Sequence, residues 1–186
     1  MSGEAQTGRG AEPHRVRLRD GCPVTVLVLS RDDAELGQAW LRQRIADEYQ
    51  HLSPRSRRLR FISPPHHLAP WQLDYLSDLD PARSAIWVAR DDSGPQPVGA
   101  GLARYMRIPG EPGVAEVALT VLDAYQNRGL GRIFLDLMAA HAGAHGLKLL
   151  RGYVLPENRI MLHLFEAFGA RPPVPEDGLL RVELEV

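Results

Sequence analysis

The run Gln126-Asn127-Arg128-Gly129-Leu130-Gly131 stands between a strand-like segment and a strongly amphipathic helix. The first turn of a helix leaves backbone N–H groups without intrahelical partners, and together with the helix dipole they attract phosphate. Gly129 and Gly131 permit close approach of the backbone, and Arg128 and Arg132 add charge suited to a pyrophosphate. The same glycines would equally serve a tight turn. A second candidate is Glu116, the one acidic residue within the otherwise apolar run 114–122. Burial there would raise its carboxyl toward a range useful for accepting a proton. The structural alternative is a carboxylate paired with an arginine.

The elements needed to position these residues follow a readable order. Residues 24–29 form a β-branched run between Pro23 and Ser30-Arg31-Asp32-Asp33, predicting a strand, a helix start and a helix over about 33–49. Pro54, Pro64, Pro65 and Pro70 punctuate residues 52–80, which leaves room for short helices and suits a lid or wall. Runs at 84–90 and 98–106 flank the turn cluster Asp91-Asp92-Ser93-Gly94-Pro95 and predict a hairpin, after which Glu111-Pro112-Gly113 turns the chain into the run 114–122. Leu130, Ile133, Phe134, Leu137 and Met138 recur at helical spacing before Gly146. Residues 148–154 read as a strand, Met161, Leu164, Phe165 and Phe168 stripe another helix closed by Gly169, and 179–186 supply a last strand. Strands interleaved in this way with helices predict an α/β fold of mixed α+β type, a mixed sheet covered by helices.

The 186 residues fit a single domain, expected over 16–186, after a polar, aperiodic tail over 1–15 that is expected to be disordered. A net charge of -1 argues against nucleic acid or an anionic membrane as partner. The lone Cys22 and the lack of an apolar run of ~20 residues point to a soluble, cytoplasmic protein. His66 and His67 are adjacent, not on one helical face, and no cysteine or acidic cluster joins them, so no metal is expected. Arg55, Arg57, Arg58 and Arg60 read as a solvated face, or as a surface that steers an acidic partner or contacts phosphates. Trp40, Trp71, Trp87, Tyr75 and Tyr125 read as packing residues.

The run from Ala115 through Glu116 to Gly131 resembles motif A of the GNAT acetyltransferases, with its Q/R-x-x-G-x-G/A loop. Asn158 and the helix through Phe168-Gly169-Ala170 resemble the motif closing the acetyl-CoA cleft of that family. Leu52-Ser53-Pro54-Arg55-Ser56-Arg57-Arg58-Leu59-Arg60-Phe61, with Ala115-Glu116, is similar to the GNAT domain of bacterial Pat-type protein lysine acetyltransferases. The resemblance spans about residues 24–170. It implies a mostly antiparallel, twisted sheet of about six to seven strands in which two parallel strands, 114–122 and 148–154, splay apart. It also implies acetyl-CoA as co-substrate. Backbone groups of Leu119, Thr120 and Val121 would meet the pantetheine arm. Gln126, Asn127, Arg128, Gly129, Leu130, Gly131 and Arg132 would hold the pyrophosphate, with Asn158 on the opposite wall. Glu116 takes the position of a catalytic glutamate, the general base that accepts the amine's proton directly or through water, without a covalent enzyme intermediate. Where many family members carry a tyrosine to protonate the departing thiolate, this chain has Phe165.

The resemblance implies acetyl transfer to a protein lysine, with acyl-CoA synthetases among the candidate partners. A small-molecule amine acetyltransferase is the alternative, marked by a closed acidic pocket around residues 74–80, and a non-catalytic acyl-CoA sensor is a third reading. Oligomeric state is open.

Overall fold

The computed structural model describes residues 12–29 and 37–186; the expected helix start at Ser30 to Asp33 and residues 1–11 of the expected tail lie outside the described residues. In chain order the strands are β1 His14–Arg17, β2 Pro23–Leu29, β3 Ser84–Asp91, β4 Val98–Arg107, β5 Val114–Val121, β6 Leu149–Val154, β7 Val174–Glu176 and β8 Leu179–Glu185. The helices are α1 Gly37–His51, α2 Pro54–Phe61, α3 Pro70–Leu76, α4 Leu130–Ala144 and α5 Arg159–Ala167, with a 3₁₀ turn over Asp123–Tyr125. Eight strands form one sheet in the order β1-β2-β3-β4-β5-β6-β8-β7. Every neighbouring pair is antiparallel except β5 and β6.

Two strands exceed the six read from hydrophobic runs. β1 starts at His14, inside the segment assigned to the tail, and pairs with β2 from His14↔Val26 to Arg17↔Pro23. Three of its four residues are exposed, so it carries no apolar alternation to read. β7 is three residues long, contains Pro175 and closes the opposite edge, a position where proline costs no ladder hydrogen bond.

The sheet is covered on both faces. On one, α4 buries Leu130, Phe134, Leu135, Met138 and Ala142 against Trp87, Tyr105 and Leu150, and Phe165 of α5 joins the same core. Phe165 packs where Gly152 leaves space, since a Cβ there would lie 3.1 Å from its ring. On the other face, α1 lays Leu41, Ile45 and Tyr49 over Ile86, Val88 and Leu102. Each fully buried side chain of this kind contributes about 1.5–3 kcal/mol relative to exposure. The proline-punctuated stretch forms α2 and α3, each begun by Pro at the first turn, where a missing N–H is harmless. Neither has a buried residue, and together they wall the sheet beside β5.

Candidate active site

β5 and β6 pair only through Val114↔Leu149, Ala115↔Leu150 and Glu116↔Arg151. Beyond that point residues 117–121 and 152–154 diverge, and a cavity of about 450 Å³ opens between them. Side chains alternate along β5: Ala115, Val117 and Leu119 enter the core under α4, while Glu116, Ala118 and Thr120 face α2 and α3. Leu122 N–H bonds Ala100 O on β4. Backbone groups alternate sides along a strand, so Val117, Leu119 and Val121 aim their N–H and C=O groups into the gap. An extended ligand with amide groups could pair with this edge as a strand would.

At the far end of the gap lies the glycine loop. Gly129 caps α4 with φ 97°, a left-handed conformation that favours glycine, and Asn127 has φ 59°. The amides of Asn127, Arg128, Gly129, Leu130 and Gly131 have no acceptor among the described residues. They constitute the positive end of a fifteen-residue helix, suited to a pyrophosphate. Of the expected cofactor residues, Leu119, Thr120, Val121, Gln126, Asn127, Gly131 and Asn158 line the cavity. Leu130 is a core residue at 1% exposure, and Arg128, Gly129 and Arg132 do not line it. Arg128 pairs with Asp20 at 2.5 Å and donates to Ala124 O, which ties the loop to the β1–β2 turn, and Arg132 stacks on Phe168. Both arginines, expected to add phosphate charge, are thus engaged with protein groups in this structure, while the loop amides are free among the described residues. Asn158 caps α5, accepting from Met161 N–H at 3.3 Å on the opposite wall.

Glu116 sits at the last paired register before the strands part. Sequence reasoning expected it to be buried, but the alternation of β5 puts it on the outward face and it is exposed in the cleft. It forms no ion pair among the described residues, so the paired-carboxylate alternative is not realised. Two arginines share its face. Arg60 of α2 holds Thr120 Oγ1 through Nε at 3.2 Å, and burial, with neighbouring Arg104, pushes its guanidinium down to about 10. Arg104 of β4, 4% exposed, donates to Tyr75 O at 2.8 Å, stacks over the Tyr75 ring, and is likewise lowered by burial. Sequence reading passed over Arg104, although a lone charge inside an apolar strand is the signal that had singled out Glu116.

The wall is fixed to the loop by side chains that lie within the two motifs but were given no role of this kind from sequence. Asp123 accepts from Ser53 N–H at 2.9 Å, Ser53 Oγ at 2.8 Å and Ser56 Oγ at 2.8 Å. Burial alone would raise its carboxyl, but these hydrogen bonds outweigh it and hold Asp123 below the usual range. Gln126 Nε2 bridges Ser56 Oγ and Val121 O, both at 3.0 Å. Trp71 and Tyr75, read as packing residues, are instead 70% and 50% exposed on α3 and line the cavity, whereas Trp87 is core.

The model of the acetyltransferase (GNAT) family matches residues 42–170. This chain belongs to that family. The GNAT assignment makes it an acetyl-CoA-dependent N-acetyltransferase, and the splayed pair, the free loop amides and the gap-facing edge of β5 fit that co-substrate. Among solved structures, the GNAT domain of S. lividans PAT superposes with a TM-score of 0.76 at 28% identity, covering 94% of this chain and 97% of that one. Acetyltransferase PA5475 of Pseudomonas aeruginosa is 28% identical over 152 residues, 82% of this chain and 77% of that protein. Acetyltransferase Pat of Mycolicibacterium smegmatis is 30% identical over 115 residues, 61% of this chain but 34% of that relative, so the GNAT chain spans about a third of it. Phe165 of this GNAT chain is buried in the core, so its place on α5 offers no proton donor; the tyrosines lining the cleft are Tyr75, Tyr125 and Tyr153.

Among the described residues, no helix is long and apolar enough to cross a membrane, and no group of three or more His, Cys, Asp or Glu could hold a metal ion.

Proposed function

We propose that the chain transfers acetyl to the ε-amine of a protein lysine in the cytoplasm, with Glu116 as general base. The observation carrying this reading is the make-up of the acceptor side. Glu116 is the one carboxylate lining the cavity among the described residues, and the wall facing it is aromatic and open, with Trp71 and Tyr75 exposed on α3. A closed acidic pocket would have favoured a small polyamine-like acceptor. Asp74 instead pairs with Arg42, and Asp78 and Asp80 pair with Arg83; none of the three lines the cavity. The likeness to the S. lividans PAT domain supports the lysine reading, and an acyl-CoA synthetase is the first partner to test.

A lysine ammonium, with a reference pKa of about 10.4, must lose a proton before its nitrogen can attack. Glu116, exposed in the cleft without an ion-pair partner, can take that proton directly or through water and pass it to solvent. Bound acetyl-CoA supplies the activated acyl group and a tolerable thiolate leaving group. The gap-facing N–H groups on the Leu119 to Val121 edge stabilise charge building on the acyl oxygen. Amides at the start of α4 anchor the distant phosphates, and Asn158 flanks the other wall.

The test is release of free CoA from acetyl-CoA with a panel of an acyl-CoA synthetase, histone-like proteins, lysine peptides and small amines, followed by mass spectrometry of acetylated sites. Turnover on a folded protein with one or a few modified lysines is expected. Turnover confined to small amines would overturn the lysine reading, and binding without turnover would point to a sensor.

A further inference from the structure

Arg60 brings into the cavity a charge that the transfer reaction does not use, and Arg104 backs it from behind the wall. Both face the acceptor side of β5, and neither forms an ion pair among the described residues. Arg104 is 4% exposed and is partnered by Tyr75 O and Met106 Sδ. Arg60 spends Nε on Thr120, stacks over Phe61 and lines the cavity, with no recorded partner for its terminal nitrogens among the described residues. In register, Arg104 stands opposite Ala118 and Met106 opposite Glu116, which makes Arg104 a diagonal neighbour of the base. Arg60 thus shares the cavity with Glu116 and, among the described residues, keeps its terminal nitrogens free for a ligand, while Arg104 lies behind the cavity wall, adds positive charge beside Arg60 and is itself offset by Glu116 and Asp78.

We propose that Arg60, with Arg104 behind it, binds a carboxylate of the acceptor, held close to the amine that Glu116 deprotonates. The planar fork of arginine suits such a group. Two sources present this chemistry: an acidic side chain packed beside the target lysine on a partner protein, and the carboxylate of a free amino acid. The inference rests on acetyl transfer to an amine in this chamber and adds what must accompany that amine.

Two matched pairs of acceptors test it with the whole chain and acetyl-CoA. The first is a lysine peptide flanked by Asp or Glu against its Asn or Gln counterpart; the second is free lysine against cadaverine, which differs only by the carboxylate. In at least one pair the carboxylate-bearing member is expected to have a kcat/KM about tenfold higher, the scale of one hydrogen bond to a charged group. Arg60→Gln should erase that preference by raising the acceptor KM, leaving the KM for acetyl-CoA in place, and Arg60→Lys should restore part of it. Equal turnover of both members in both pairs overturns the proposal while leaving the transferase intact. A preference seen only with free lysine keeps the carboxylate site and removes the protein-lysine reading. Should the Arg60 variants fail to fold, the parent protein's preference in the two pairs still decides.

Discussion

Glu116 is exposed in the cleft and has no ion-pair partner among the described residues. Its removal should therefore cost catalysis and spare the fold. Glu116→Gln is expected to lower kcat by roughly 10²- to 10⁴-fold, the usual contribution of a positioned base, while the melting temperature stays near that of the parent. Parallel rate and melting measurements check this; equal rates would remove the base assignment. The residue was legible because a single acid in an apolar run is conspicuous, but its environment was not. Strand alternation assigns even positions of β5 to the face away from α4, and which face carries the deeper core depends on packing that no local pattern encodes. The link between Ser53, Ser56 and Asp123 escaped notice for a related reason, since their hydrogen bonds join positions 67 to 70 residues apart.

At the level of elements, the glycine loop depends on its backbone more than on its side chains. Gly129 sits at φ 97° with its nearest foreign atom, on Arg19, 3.5 Å from where a Cβ would be, so an added methyl meets strain in the backbone and no clash. Gly129→Ala should cost about 1–2 kcal/mol of stability and weaken acetyl-CoA binding severalfold by displacing the start of α4. Calorimetric titration beside thermal melting checks both; unchanged affinity would sink the assignment of those amides to the phosphates. The amphipathic helices and the apolar strands could be read from sequence because period and burial coincide, as in Leu130, Phe134 and Met138. Edge strands could not. β1 and β7 are short and mostly exposed, and their pairing is set by neighbours already in place.

For the whole molecule, one contribution to the dependence of stability on pH comes from His141, which packs edge-on to Trp87 and stacks on His145, with Tyr105 Oη 2.9 Å from its Nδ1. Burial, and then the like charge of His145, pushes His141 down to about 4. Because the folded chain disfavours the protonated ring, its contribution is complete above about 6.5 and is lost as pH falls toward 4, roughly 1–3 kcal/mol across that window. His141→Phe should flatten the stability profile there, as read by denaturant titrations at successive pH values; an unchanged slope would exclude His141 as its origin. Asp91, held near 2 by hydrogen bonds from Ser93, acts only at still lower pH, so the two effects separate.

The three-pair junction between β5 and β6 also bears on how the protein avoids its own kind. A strand edge with free amides is ordinarily a template for aggregation, and sheets protect their margins with charge, proline or brevity. Here the outer margins are short β1 and β7, while the longer free edge lies inside the molecule, between walls contributed by α2, α3 and α5. An arriving polypeptide strand would have to pass between those helices to reach this edge. An arm with a few amides and no side chains asks for less room, and the fold thereby shelters an aggregation hazard while leaving the edge within reach of a ligand of that kind.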